Sequence, residues 1–358
     1  MSKIVILGDT HFGCRGDSLE FHKYFERFYD EIFFPFLTKN GIKEVVQLGD
    51  LFDRRKFINF NSLYLSRKYF FEKCERLGIH LHVLIGNHDV AYKNTLEVNS
   101  PSLLLNEYHN IEIYEDFDTV EFDGIEVDIV PWICDDNQEY IFSKVKESTS
   151  QICFGHFEID GFEMDRGNIH HGGLDRKALS KYDVVLSGHF HHKSNGDNIT
   201  YVGTPYEMTW SDYNDPKGFH VFDLEKREIE FIRNPFRMFH KITYDDNEQE
   251  FNYWKSFDYS SLKETFVKII VLNKQNPYMF DTVIDNLYKA GVSDVSVVED
   301  FTDYSDTTLT DDEVNQAEDT ITIINKFVDT MKTDVSSNKL KNLLKEIYIE
   351  ALNVEKTE

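Results

Sequence analysis

Cysteine is scarce and poorly spaced for cross-linking. Cys14, Cys74, Cys134 and Cys153 stand far apart, with no CxxC pair among them, which excludes a zinc ribbon and a disulfide framework and leaves free, buried thiols. Long hydrophobic runs are missing too, because no apolar stretch approaches the roughly 18 residues that a membrane span needs. The amino terminus, Met1-Ser2-Lys3-Ile4, runs straight into a strand pattern without the apolar region and cleavage site of a signal peptide. Both features point to a cytoplasmic protein that does not meet a membrane. Positive charge is short as well: 38 Lys and Arg face 64 Asp and Glu, a formal net charge of -26. Nucleic acid is normally gripped by Lys and Arg on phosphates, so any role there must rest on local rather than global charge.

What the chain has in quantity is aromatic side chains, with 30 Phe and 19 Tyr in 358 residues, enough to bury a sizeable core. The length exceeds one ordinary domain and predicts a large catalytic unit with one or two smaller ones. The large unit is organised around Leu48-Gly49-Asp50, a glycine-aspartate step that ends the apolar run Val45-Val46-Gln47-Leu48. A carboxylate at the carboxyl end of a parallel strand reaches the crevice where open α/β sheets bind ligands, and Asp50 is a candidate ligand shared between two metals. The same grammar, an apolar strand ending in Gly plus a ligand-type residue, recurs in Gly8-Asp9-Thr10-His11, Gly86-Asn87-His88-Asp89, Gly155-His156 and Gly188-His189-Phe190-His191. A lone DxH or His pair means little. Asp9, His11, Asp50, Asn87, His156, His189 and His191 together, all at strand ends, describe a metal centre.

Apolar residues at helical spacing over Ser18–Leu37 and Ser62–Leu77 predict crossover helices between the first strands, hence a parallel sheet. The short strands Val127–Val130, Thr200–Gly203, Gly218–Leu224 and Glu228–Arg233 predict a second sheet stacked on the first. Asn234-Pro235 closes this domain. A smaller α/β unit follows to about residue 300, with strands Val267–Leu272 and Val295–Val298 and a helix Met279–Ala290. Beyond it the run from Glu299 to Asp319 holds acidic residues and no Lys or Arg, an acidic connector that a helix over Thr320–Met331 overlaps. Leu340, Leu343, Leu344, Ile347, Ala351 and Leu352 then stripe a terminal helix behind the caps Ser336 and Ser337, an apolar face in need of a partner.

The series DxH, GDxxD, GNHD, GH and GHxH resembles the calcineurin-like metallophosphoesterases. Within them, Gly49-Asp50-Leu51-Phe52-Asp53, the GH and GHxH steps, and Val202-Gly203-Thr204-Pro205 resemble the SbcD-type double-strand-break repair nucleases, most closely their phage members. The resemblance covers roughly residues 1–235. It implies a four-layer α/β/β/α sandwich with a small α+β capping domain and C-terminal helices, divided as 1–235 nuclease domain, 236–300 capping domain and 301–358 acidic linker and helices that bind an SMC-like ATPase. It implies that Asp9, His11, Asp50 and His191 hold one metal and Asp50, Asn87, His156 and His189 the other, with two Mn²⁺ preferred and Mg²⁺ as the weaker option. His88 would act on the phosphodiester, with Asp89 holding its ring, and Arg54, Arg55 and Lys56 would touch substrate. The implied activity is 3′-to-5′ exonuclease on duplex DNA ends and endonuclease on single strands, in a homodimer joined through nuclease-domain helices. Many cellular members carry a His where this chain has Asp53. Asp53-Arg54 also echoes the GDxxDR element of phosphoprotein phosphatases, an alternative enzyme, and a metal-free scaffold of the same fold is the alternative from outside catalysis.

Overall fold

The strand Lys3–Leu7 is buried at every position after Lys3 because it is covered on both faces. In the computed structural model, which describes residues 3–165 and 168–299, alternate side chains of this strand enter different cores. Ile4 and Ile6 pack between two sheets with Val46, Leu84, Phe154, Leu186 and Phe222. Val5 and Leu7 face helices in a second core with Val45, Leu81 and Val83. Two-residue periodicity thus turns each strand into a shared wall between layers.

The first sheet runs Glu228–Arg233, Gly218–Asp223, Lys3–Leu7, Glu44–Gln47, His80–Leu84, Ile111–Tyr114. Its last four strands are mutually parallel. Gly218–Asp223 joins antiparallel to Lys3–Leu7 and carries Glu228–Arg233 as a hairpin, so this pair extends the first sheet instead of building the second. The second sheet runs Ser194–Gly196, Ile199–Tyr201, Val184–Gly188, Ile152–His156, Ile125–Val130, Asp118–Phe122. The helix Gln138–Glu147 covers its outer face through Ile141 and Val145, which meet Cys153 and Val185. Helix, sheet, sheet, helix is the resulting order of layers.

The outer face of the first sheet is where the phenylalanines go. Two helical stretches cover it, Leu19–Phe28 continuing through Tyr29–Phe33 and Phe34–Asn40, and Phe60–Ser66 continuing through Arg67–Phe71 and Glu72–Arg76. The middle segment of each is a π turn. By inserting a residue, such a turn rotates the apolar stripe, and here it buries the consecutive Tyr69, Phe70 and Phe71. Phe25 stacks on Tyr206 at 3.7 Å between ring centres, and Phe28 touches the rings of Tyr29, Phe33, Tyr206 and Phe219.

After Asn234-Pro235 comes a sheet of three parallel strands, Phe239–Asp245, Phe266–Asn273 and Asp294–Glu299. The helices Phe251–Ser256 and Pro277–Lys289 lie in its crossovers, and its own core holds Tyr244, Trp254, Ile269, Phe280 and Val283. It is fastened to the larger sandwich by Glu207, whose buried carboxylate accepts the Met238 and Phe239 amides at 2.7 and 2.9 Å, and by Phe21, which meets Phe239 and Phe266. Among the described residues no helix is long and apolar enough to cross a membrane. The acidic connector, the Thr320–Met331 helix and the Leu340–Leu352 stripe lie outside the described residues.

Phe28 is fully buried at the centre of the aromatic layer. Phe28→Ala should therefore cost about 3–5 kcal/mol, the range for a large buried ring. Urea unfolding monitored by circular dichroism checks this, with the midpoint falling and the slope unchanged.

Candidate metal centre

Each expected ligand sits where a strand of one sheet or the other runs out, and the two sheets bring them together. Asp9, His11 and His191 form one cluster and Asp50, His156 and His189 another, with candidate ligand atoms in each within 4.8 Å of one another. Asp50 borders both, lying 3.8 Å from His11 Nε2 and 3.5 Å from His156 Nε2. Asn87 Oδ1 stands between His156 Nε2 at 2.9 Å and His189 Nδ1 at 2.8 Å. All seven residues expected as ligands are therefore in one place.

Backbone strain marks the same spot. His11, Asp50 and His189 all have positive φ, at 41°, 52° and 88°, a conformation unfavourable for residues with a Cβ and concentrated at functional sites. Gly49, at φ 98°, makes the turn that aims Asp50. The other glycines of the motifs serve a different purpose, which is close approach. A Cβ on Gly86 would lie 2.2 Å from Asp50 Oδ1, and one on Gly188 would lie 2.6 Å from Asp9 Oδ1. Gln47 clamps the turn by accepting from the Gly49 amide at 3.1 Å and donating to its carbonyl at 2.6 Å.

The loops hold one another through the carboxylates. The Asp50 carbonyl accepts the Thr10 and His11 amides, each at 3.1 Å. Its Oδ1 accepts the His88 amide at 2.7 Å, and Asp9 accepts the His189 amide at 3.1 Å. Burial, then the adjacent Asp50 charge, pushes the Asp9 carboxyl well above the ordinary carboxylate range. The surrounding imidazoles hold Asp50 the other way, well below it and against the effect of its burial. Burial also lowers His11 and His156, takes His189 down to about 3 and His191 to about 4. Burial thus favours the neutral form of these rings, which offers lone pairs.

That inference decides whether a cation fits. The Leu48 carbonyl can only accept, so the 2.7 Å contact from His156 Nδ1 places the proton there. The bare Nε2 of His156 then faces the Asn87 amide oxygen, acceptor against acceptor. His11 Nε2 and His191 Nε2 face each other at 3.0 Å, and His11 Nδ1 is buried without a hydrogen-bond partner. Converging lone pairs and two adjacent buried carboxylates are what a divalent ion would satisfy, and the oxygen and imidazole donors suit such ions.

His88 stands beside this cluster, its ring 4.8 Å from that of His11. Burial pulls its pKa down, but the Asp50 carboxylate and the Asp53 carbonyl outweigh that and raise it, favouring the protonated ring. The group holding the ring is the Asp53 carbonyl, which accepts from Nδ1 at 2.7 Å. Asp89, expected to do this, does not: it is fully buried and its carboxylate accepts the Leu51, Phe52 and Gly86 amides. Its geometry ties the Asp50 loop to the Asn87 loop. The Asp53 carboxylate lies 3.5 Å from His11 Nδ1, at the edge of the cluster.

Several basic residues near the cluster are engaged by other groups. Arg54 pairs with Asp17 at 3.1 Å and lies over Phe57, whereas Arg55 is half-buried and Lys56 exposed. Arg67 bonds the Leu104 carbonyl and Glu107, and Lys68 lies 3.9 Å from Glu26, so both serve the helix surface. One cation escaped sequence reasoning altogether. Buried Lys217 pairs with Asp212 at 2.6 Å and Asp215 at 2.8 Å, and donates to the His191 carbonyl at 2.8 Å. His191 is braced further by the Thr204 amide, which donates to the same carbonyl. Trp132 was also missed, and it packs against the rings of both His156 and His189.

Sandwich and histidine-carboxylate cluster together define a metallophosphoesterase, and residues 2–193 match the calcineurin-like phosphoesterase family, to which the chain belongs. It is similar to exonuclease subunit 1 of Enterobacteria phage T4, with 32% identity over 98% of this chain and 99% of the relative. It is also similar to the SbcD component of the nuclease SbcCD from Staphylococcus epidermidis, at 25% identity over 63% of this chain and 67% of the relative. A solved archaeal phosphodiesterase aligns with 65% of the chain and 99% of its own, at 16% identity and a TM-score of 0.34. The family and the two nuclease relatives place the chain among phosphodiester-cleaving enzymes.

Lys217→Met should leave Asp212 and Asp215 buried without their counter-charge, which costs about 3–5 kcal/mol when one partner of a buried pair is lost. Thermal unfolding checks the loss. Lys217→Met combined with Asp212→Asn and Asp215→Asn, which removes the charges and keeps an oxygen for the Met208 and Thr209 amides, should recover much of it.

Proposed function

We propose that this chain is the nuclease subunit of a DNA end-processing assembly, hydrolysing DNA phosphodiesters with two Mn²⁺ ions, from 3′ to 5′ on duplex ends and endonucleolytically on single strands. The observation that carries this is the meeting of Asp9, His11 and His191 with Asp50, Asn87, His156 and His189 beside His88. The kinship with phage T4 exonuclease subunit 1 along nearly the whole chain supports DNA as substrate.

In this reading Asp9, His11, Asp50 and His191 hold one ion and Asp50, Asn87, His156 and His189 the other. Bound there, divalent cations neutralise charge on the scissile phosphate and lower the pKa of water. The chain's own contribution is placement and a proton. Asp50 is aimed by Gly49 and by the His88 amide. His88, its Nδ1 donating to the Asp53 carbonyl, keeps Nε2 for the substrate. When water attacks phosphorus and the bond to the 3′ oxygen breaks, that imidazolium donates its proton to the leaving oxygen. Asp89 is a positioning residue that fixes the two loops. Arg55 and Lys56 offer phosphate contacts at the rim, with Arg54 steadied by Asp17.

We read residues 1–235 as the nuclease domain, 236–300 as the capping domain and 301–358 as a linker and helices that dock an SMC-like ATPase. The separate core of the three-stranded sheet supports the first division. A homodimer is supported by exposed Phe60 and Tyr64 on a nuclease-domain helix, at 88% and 64%. The cytoplasm of a phage host is the expected setting. The phosphatase reading asks Arg54 to grip phosphate, and its pairing with Asp17 weighs against that.

Purified protein should degrade labelled DNA with Mn²⁺ and leave a phosphopeptide intact. The reverse outcome would overturn the proposal. Asp50→Ala should lose both metal binding, by calorimetric titration, and hydrolysis. His88→Ala should keep its metals and lose turnover by about 10²- to 10⁴-fold, the scale of general acid catalysis. Deleting residues 335–358 should abolish co-purification of the ATPase and ATP-stimulated cleavage, while basal Mn²⁺-dependent hydrolysis of short DNA persists.

A further inference from the structure

At the opposite end of the first sheet, where Glu44 begins the strand whose other end leads into Asp50, lies a second group of ligand-type side chains that the phosphoesterase chemistry does not use. Glu44 opens one strand and His80 the next, and the two are paired in register. His82 follows two residues along on the same face, paired with Val46 and, on its other side, with Glu112. A single oxygen, Glu44 Oε2, lies 3.3 Å from His80 Nδ1 and 3.0 Å from His82 Nε2. The imidazole centres are 4.4 Å apart. Glu112 Oε2 stands on the far edge of both rings, 3.9 Å from His80 Nε2 and 3.8 Å from His82 Nδ1.

We propose that Glu44, His80 and His82 form a metal site of their own for Zn²⁺ or a similar borderline divalent cation. Two imidazole nitrogens and a carboxylate oxygen are a donor set such ions take, with a further position left for water. The three donor atoms already lie within 4.8 Å of one another. His82 is nearly fully buried, and its Nδ1 meets Tyr114 Oη at 2.7 Å. That contact orients the ring with Nε2 toward Glu44 Oε2, its hydrogen-bond partner at 3.0 Å, and an ion between the two would take the place of that bond. Two carboxylates flanking two imidazoles carry a charge that one divalent ion balances. Access is open, because the cluster lines a groove of about 810 Å³ at the mouth between the two sheets, bounded also by Lys3, Phe36 and Phe122. An ion here joins two interior strands of the first sheet at the end remote from the catalytic cluster, so its role is to fasten that end of the sheet.

The full-length chain, stripped with chelator and dialysed against Zn²⁺ alone, should retain one equivalent more than His80→Ala does. Glu44→Gln, which keeps side-chain size at a half-exposed position, should show the same loss, so the result does not hang on one variant folding well. Asp50→Ala should retain this equivalent, and Zn²⁺ should raise its melting temperature more than that of Asp50→Ala combined with His80→Ala. Equal zinc content in the unmodified chain, His80→Ala and Glu44→Gln would overturn the proposal. Zinc content is read without turnover, so the outcome is independent of the nuclease reading.

Discussion

Asp9 and Asp50 are buried side by side, each about 1–2% exposed, and much of the domain is arranged around making that tolerable. An unpaired carboxylate in an apolar interior is driven to take up a proton, and each response to that pressure can be named. Asp9 receives the His189 amide and Asp50 the His88 amide, so two loops from different sheets supply the compensating dipoles. Imidazoles, not ammonium groups, line the remaining space, and burial lowers the pKa of His11, His156, His189 and His191. That choice leaves the negative charge partly uncompensated, which converts a folding problem into affinity for cations.

The same pressure explains the strain and the glycines. Asp50 can face both histidine clusters only with φ at 52°, a conformation that the surroundings must impose. Its carbonyl is held by the Thr10 and His11 amides, its flank by Gln47 and its next residues by Asp89. The aromatic layer reaches this network through Tyr206, whose hydroxyl donates to the Thr10 carbonyl at 2.7 Å. Packing far from the centre is thus coupled to the placement of its ligands. A cavity in that layer would be felt at the DxH loop as well as in stability.

Strand ends were legible because their grammar is local: an apolar run, a glycine and a ligand lie within about ten residues of one another. The helices over Leu19–Asn40 and Phe60–Arg76 were legible from apolar spacing, but not their π turns, which depend on what the aromatic rings meet. Pairing between distant segments was beyond local pattern. Gly218–Asp223 alternates no differently for joining Lys3–Leu7 than for joining the second sheet, and only the register across the whole domain decides. Phe239–Asp245 was missed because His240, Lys241 and Thr243 interrupt its apolar positions, and Gln138–Glu147 because only Ile141 and Val145 are buried on it. Lys217 could not be read at all. A lysine near two aspartates looks like ordinary surface until the fold buries all three and points the ammonium at the His191 carbonyl. His88 was placed correctly beside the cluster and given the wrong support, since a neighbouring carboxylate is the obvious partner on paper and a carbonyl from the Asp50 loop is the one within reach.

Acidity on this scale constrains how the protein can meet a polyanion. The formal charge of -26 repels DNA at distances beyond the Debye length of about 8 Å only weakly, but it removes electrostatic steering. Several cations that could offset it near the centre are already engaged, with Arg54 on Asp17, Arg67 on Glu107 and Lys217 on Asp212 and Asp215. What attraction remains is concentrated at the buried cluster, where bound divalent ions would add positive charge at the point where a phosphate must sit. In the proposed reading, a site charged only when loaded would discriminate by position, favouring a strand end that enters the crevice over duplex lying across an acidic exterior. In the proposed nuclease reading the same logic would assign bulk DNA affinity to a partner, because a chain of this charge would gain reach by being carried to its substrate.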